Sequence, residues 1–124
     1  MQINWFNEKP KDCLVTVATG NLTLNKPATN FFESAYSVML GFNKDEKLVF
    51  IKPLTKEVAV KHDIPENAKY RISVRSSYSR VANKAFISEI ADLVNLNLDA
   101  QTYKYKANWD SKEKVLVVDL KEEL

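Results

Sequence analysis

Tyr36-Ser-Val-Met-Leu-Gly-Phe-Asn-Lys-Asp-Glu-Lys-Leu-Val-Phe-Ile51 has a gapless counterpart 67 positions later, Tyr103-Lys-Tyr-Lys-Ala-Asn-Trp-Asp-Ser-Lys-Glu-Lys-Val-Leu-Val-Val118. Tyr36 falls on Tyr103, Phe42 on Trp109, Asn43 on Asp110, Glu46 on Glu113 and Lys47 on Lys114, while Leu48–Ile51 falls on Val115–Val118. In both copies β-branched and aromatic residues flank a polar stretch, Asn43–Lys47 and Asn108–Lys114. The sequence therefore predicts two similar β-hairpins.

Outward from these hairpins the same order of elements repeats. In the first copy Cys13–Ala18 and Leu22–Leu24 read as strands joined at Gly20-Asn21. Asn25-Lys26-Pro27 then opens a short helix through Ala35, in which Phe31 and Phe32 are core anchors. In the second copy Tyr70–Val74 alternates, Ser76–Ser79 is a polar turn, and Ala82, Phe86, Ile90 and Leu93 trace one apolar helical face. Here the offset is 58 or 59, so the second helix is the longer. The fold class expected is mostly β with short helices (α+β). Two ββαββ repeats, at about 12–54 and 70–121, pack on each other as an internal pseudo-dimer within a single domain. A unit of about 45 residues buries too little apolar surface to stand alone. Residues 55–69, with Pro53 and Pro65 at or near their limits, form the connector, and Val58-Ala-Val60 reads as a short strand within it.

Gly20-Asn-Leu-Thr-Leu-Asn-Lys26 and Ser79-Arg-Val-Ala-Asn-Lys84-Ala-Phe-Ile-Ser-Glu89-Ile90 resemble the motif of the AbrB/MazE-like swapped-hairpin family. That motif runs glycine, arginine, alternating β-formers, a proline or polar residue, lysine, then a short helix. The tandem arrangement is similar to that of MraZ. The resemblance implies an interlocked barrel formed within one chain, and DNA binding through the first hairpin of each unit. Copy one carries Asn21 where the motif has arginine, and copy two carries Ser79 where it has glycine.

The charge is unevenly placed. The chain of 124 residues carries 18 Lys and Arg against 16 Asp and Glu, a net +2. All three arginines, Arg71, Arg75 and Arg80, fall within ten residues, and Asn67–Ser88 holds five basic residues and no acid. Such a focus of charge is the electrostatic mark of a polyanion site. On an extended strand Arg71 and Arg75 share a face opposite Tyr70, Ile72 and Val74, and Arg80 follows on the paired strand. A two-stranded ribbon fits the major groove, where arginine reads guanine and lysine neutralises phosphate. The candidate nucleic-acid-binding residues are Lys69, Arg71, Arg75, Ser77, Tyr78, Arg80 and Lys84. The other reading of this charge is a solvated edge or protein-contacting surface.

Other chemistries find little support. One cysteine, Cys13, and one histidine, His62, leave too few ligands for structural zinc and no oriented nucleophile–base pair. Two glycines offer no phosphate-cradling loop. The expectation is a protein that is no enzyme, with no catalytic residue, metal or cofactor. No run approaches the ~18 apolar residues of a membrane helix, so no membrane partner and a cytoplasmic location are expected. Double-stranded DNA is the expected partner of a small transcriptional regulator. The alternative is an assembly module of the same fold without nucleic-acid binding. Trp5 and Phe6 either cap the barrel or join a second chain in a homo-oligomer.

Overall fold

The computed structural model describes residues 1–7, 11–60 and 64–124. In chain order its elements are β1 (Cys13–Val17), β2 (Leu22–Leu24), α1 (Lys26–Thr29) continued by a 3-10 turn at Asn30–Phe32, β3 (Ser37–Asn43) and β4 (Leu48–Leu54). Then follow α2 (Lys56–Ala59), a 3-10 turn at Glu66–Ala68, β5 (Ser73–Val74), β6 (Ser79–Val81), α3 (Lys84–Val94), β7 (Tyr103–Asp110) and β8 (Val115–Glu123). The protein is mostly β with short helices. The eight strands among the described residues join one antiparallel sheet in the order β3-β4-β8-β7-β1-β2-β6-β5. The sheet curls until its ends touch, where Val38 and Tyr70 exchange both backbone hydrogen bonds at 2.9 Å.

Alternation along the strands fills the interior. Val15, Val17, Leu22, Leu24, Val49, Ile51, Val81, Tyr105, Leu116 and Val118 point inward and are buried, each side chain contributing roughly 1.5–3 kcal/mol. Helix residues Ala28, Phe86, Ile87 and Ile90 join the same core. Phe42 stacks on Phe86 with centroids 4.6 Å apart. Trp109 stacks on Phe31 at 4.5 Å and meets Phe32 edge-on at 6.3 Å. Each long hairpin thus packs an aromatic ring against the helical segment of the other half of the chain.

The long hairpins share their turn chemistry. Asn43 pairs with Leu48 in one and Asp110 with Val115 in the other. Asn43 Oδ1 accepts from the Glu46 amide at 3.1 Å, and Asp110 Oδ1 from the Glu113 amide at 3.0 Å. Lys47 and Lys114 both take the left-handed conformation, at φ 56° and 55°. The short hairpins match as well. Val17 faces Leu22 and Val74 faces Ser79, and each tip is closed by one backbone bond, Ala18 N to Asn21 O at 3.0 Å and Arg75 N to Tyr78 O at 2.8 Å. Their spacing is 57 positions, shorter than the 58 or 59 expected, because Ala82 separates β6 from its helix cap whereas Leu24 adjoins Asn25 directly.

Several local expectations are corrected. Val58–Val60 is not a strand: the Thr55 side chain caps α2 by accepting from the Val58 amide. Ala82 is exposed and precedes α3. Ser79 belongs to β6 and not to the turn, and is fully buried. Phe31 is 41 % exposed, sheltered on one side by Trp109. Trp5 and Phe6 are 83 % and 91 % exposed and so do not cap the barrel. His62 lies outside the described residues.

Asn25 and Asn83 both cap helices, accepting from Ala28 N at 3.3 Å and Phe86 N at 2.9 Å. Asn25 does more: its Oδ1 also accepts from Leu14 N at 3.0 Å, and its Nδ2 donates to Asp12 O at 2.8 Å. Asn83→Ala is expected to cost about 1 kcal/mol, the loss of a cap. Asn25→Ala is expected to cost about 3 kcal/mol, since two further bonds go with it. Urea denaturation of the two variants measures the difference.

Candidate nucleic-acid interface

β5 and β6 form a ribbon in which exposure alternates with each residue. Arg71, Ser73 and Arg75 face solvent while Ile72 and Val74 are half-buried. Ser73 lies opposite Arg80, so Arg80 projects from the same outer face. Arg71 and Arg75 flank Ser73 two residues to either side, at diagonal distances of about 7–8 Å from Arg80. The Arg80 guanidinium sits 5.3 Å from the centroid of the Tyr78 ring, a cation–π contact that orients it without neutralising it.

The arginines keep their charge available. Ion pairs among the described residues join Lys44 to Glu89, Lys69 to Glu66, Lys106 to Asp12 and Lys121 to Asp119. None uses an arginine. Ser77 is exposed at the tip and Tyr78 is half-buried beside it. Lys84 is exposed in the first turn of α3.

Lys69 does not join this face. Its side chain is only 9 % exposed, its ammonium donates to Glu66 Oε1 at 2.8 Å, and it also meets the Ala59 carbonyl oxygen. The nearest acid upstream of the basic window takes up its charge.

Strand register brings in one residue that sequence reasoning missed. Ser73 faces Arg80, Arg80 faces Thr23, Thr23 faces Thr16 and Thr16 faces Lys104. These five positions form one row across the outside of β5, β6, β2, β1 and β7. Lys104 is exposed and stands three strand spacings from Arg80, about 14 Å. Thr16 and Thr23 lie between as short polar side chains. The alternation of Lys104 with Tyr103 and Tyr105 signals an outward lysine, but nothing local to β7 announces β1 as its neighbour.

Guanidinium groups so placed can donate paired hydrogen bonds to phosphate or to base edges. Burial, and then the Asp12 carboxylate, push the Cys13 thiol above its ordinary value, which keeps it protonated and poorly nucleophilic at neutral pH. Among the described residues no cluster of His, Cys, Asp and Glu could hold a metal ion. No helix there is long and apolar enough to cross a membrane. No family model, no curated protein and no solved structure matches the chain.

The inner side of this wall has its own pH dependence. Burial, then the charge of Glu123, push the Tyr105 phenol from 10.0 up to about 12. A phenol raised on folding favours the folded state below pH 10, and that contribution is lost as pH rises through 12. Thermal melts of Tyr105→Phe and the parent between pH 9 and 12 should show the variant gaining on the parent as pH rises. A constant difference would remove Tyr105 as the cause.

Proposed function

We propose that this is a non-catalytic protein that binds double-stranded DNA through the β5–β6 ribbon, in the manner of a small cytoplasmic AbrB-like transcriptional regulator. One observation carries the reading: Arg71, Arg75 and Arg80 emerge on one outer face, exposed and without a carboxylate partner among the described residues. A ribbon of this width enters the major groove. Arg71, Arg75, Arg80 and Lys84 supply phosphate and base contacts, with Ser77 and Tyr78 at the tip against the backbone. Lys104 extends the charged row across the barrel.

The tandem reading belongs with this proposal. The matched registers of both hairpins, the paired asparagine caps and the left-handed lysines at equivalent turns support two ββαββ units closing on each other as an internal pseudo-dimer. Phe50 and Val117, equivalent at the offset of 67, face each other in the β4–β8 pairing, as residues beside a pseudo-twofold axis would.

A second reading draws on Ile3, Trp5 and Phe6, which are exposed close together in the chain. Under it the protein is an assembly module whose N-terminal aromatics bind a second copy. Sedimentation equilibrium should then show a concentration-dependent mass that Trp5→Ala with Phe6→Ala abolishes. A strictly monomeric parent would end that reading.

For the DNA reading, the affinity for a mixed-sequence duplex is measured across a salt series. Three neutralised phosphates give a fall of about 2.7 in log K per tenfold rise in salt. Replacing Arg71, Arg75 and Arg80 together by alanine should flatten that slope and weaken binding at every salt concentration. An affinity unchanged by the triple replacement overturns the proposal.

A further inference from the structure

The two flanks of the barrel are closed unequally. β1 pairs with β7 through five residue pairs, from Cys13↔Ala107 to Val17↔Tyr103. On the opposite flank, among the described residues, β3 meets the segment leading into β5 at Val38↔Tyr70 alone. Beyond that bridge the strands part and leave a groove of about 710 Å³, inside the ~300–1,000 Å³ range of small-molecule sites.

Its lining is chemically mixed. Tyr36 stands in the groove 60 % exposed, offering a ring face. The Glu66 carboxylate and the Lys69 ammonium line it as acceptor and donor. Ser37 is 7 % exposed, and its Oγ is buried with no hydrogen-bond partner among the described residues. A buried unpartnered hydroxyl is unfavourable, and rotation about χ1 is all a serine needs to offer its hydroxyl to a ligand in the groove. Arg71 completes the lining, and it is the one arginine shared with the β5–β6 ribbon.

We propose that this groove binds a planar heterocyclic anion of the mononucleotide class, and that its occupant competes with DNA for Arg71. The ring stacks on Tyr36. Its edge, which carries both donors and acceptors, meets Ser37, Glu66 and Lys69, and its phosphate takes Arg71. A simple aromatic carboxylate would leave that mixed edge unused. The competition rests on the DNA reading above, whereas the groove's own binding does not.

The test is a calorimetric titration of the full chain with adenosine 5′-monophosphate, with inorganic phosphate as the anion control. Saturable nucleotide binding is expected, with phosphate far weaker. Tyr36→Ala should weaken nucleotide binding about tenfold through lost stacking. Ser37→Ala should also weaken it while raising Tm, because the variant removes an unsatisfied hydroxyl; a purely structural serine would not separate the two readouts in that way. Saturating nucleotide should lower duplex affinity in the parent and leave it unchanged in Arg71→Ala.

Nucleotide affinity indifferent to Tyr36→Ala, or matched by phosphate, overturns the site. Nucleotide binding with no effect on duplex affinity overturns the competition. A short single strand that binds through Tyr36 when the free nucleotide does not would make an unpaired nucleotide of a strand the occupant, and overturn the free-nucleotide assignment. Absence of duplex binding in the parent overturns the regulator reading alone, since the calorimetric titration reads the groove independently.

Discussion

Deep in the core the hydroxyls of Thr29 and Ser79 lie 2.8 Å apart, and Thr29 Oγ1 also contacts the Leu24 carbonyl oxygen at 3.1 Å. This link ties the end of α1 to the start of β6 and pins the register of the β2–β6 pairing. Because side chains alternate, a slip of one residue there would turn Ser79 and Val81 outward and drive Arg80 into the core. The whole outer row depends on that register. The pair is costly to separate, since the buried Ser79 hydroxyl would lose the partner that compensates its desolvation, while Thr29 keeps the Leu24 carbonyl.

The curled sheet around this link is built from junctions between distant parts of the chain. β2–β6, β4–β8 and β1–β7 each join an early strand to a late one, and the stacked pairs Phe42–Phe86 and Phe31–Trp109 do the same for the aromatic rings. Neither half keeps its apolar face covered without the other. The unequal closure of the flanks follows from the same geometry. Where the β3 edge and the β5 segment share one bridge among the described residues, the buried Ser37 hydroxyl has no hydrogen-bond partner there, and a groove opens beside Arg71.

Electrostatics on this scaffold are decided residue by residue. Lys69 and Arg71 stand two positions apart, yet the first is folded against Glu66 and the Ala59 carbonyl while the second is exposed. Lys104 and Lys106 likewise share a face of β7, but Lys106 has Asp12 within 4.0 Å and Lys104 has no carboxylate partner among the described residues. The row from Ser73 to Lys104 is therefore polar and positive, although the chain as a whole carries only +2.

Much of this was legible in the linear order of residues. Strand alternation, the polar turns of the long hairpins, the asparagine cap at residue 25, and the gathering of arginines are local properties, expressed within a few residues of chain by backbone sterics and short-range hydrogen bonds. The helical nature of α2 was obscured because its two valines suit a strand, and the Thr55 cap outweighed them. What tertiary structure alone decided were the partners across strands: Lys104 beside Thr16, Lys69 against Ala59, Phe31 under Trp109, and the bridge from Val38 to Tyr70. Those depend on which distant edges meet and in what register, and that choice is made by burial of the whole apolar interior at once, a sum that no short stretch of the chain contains.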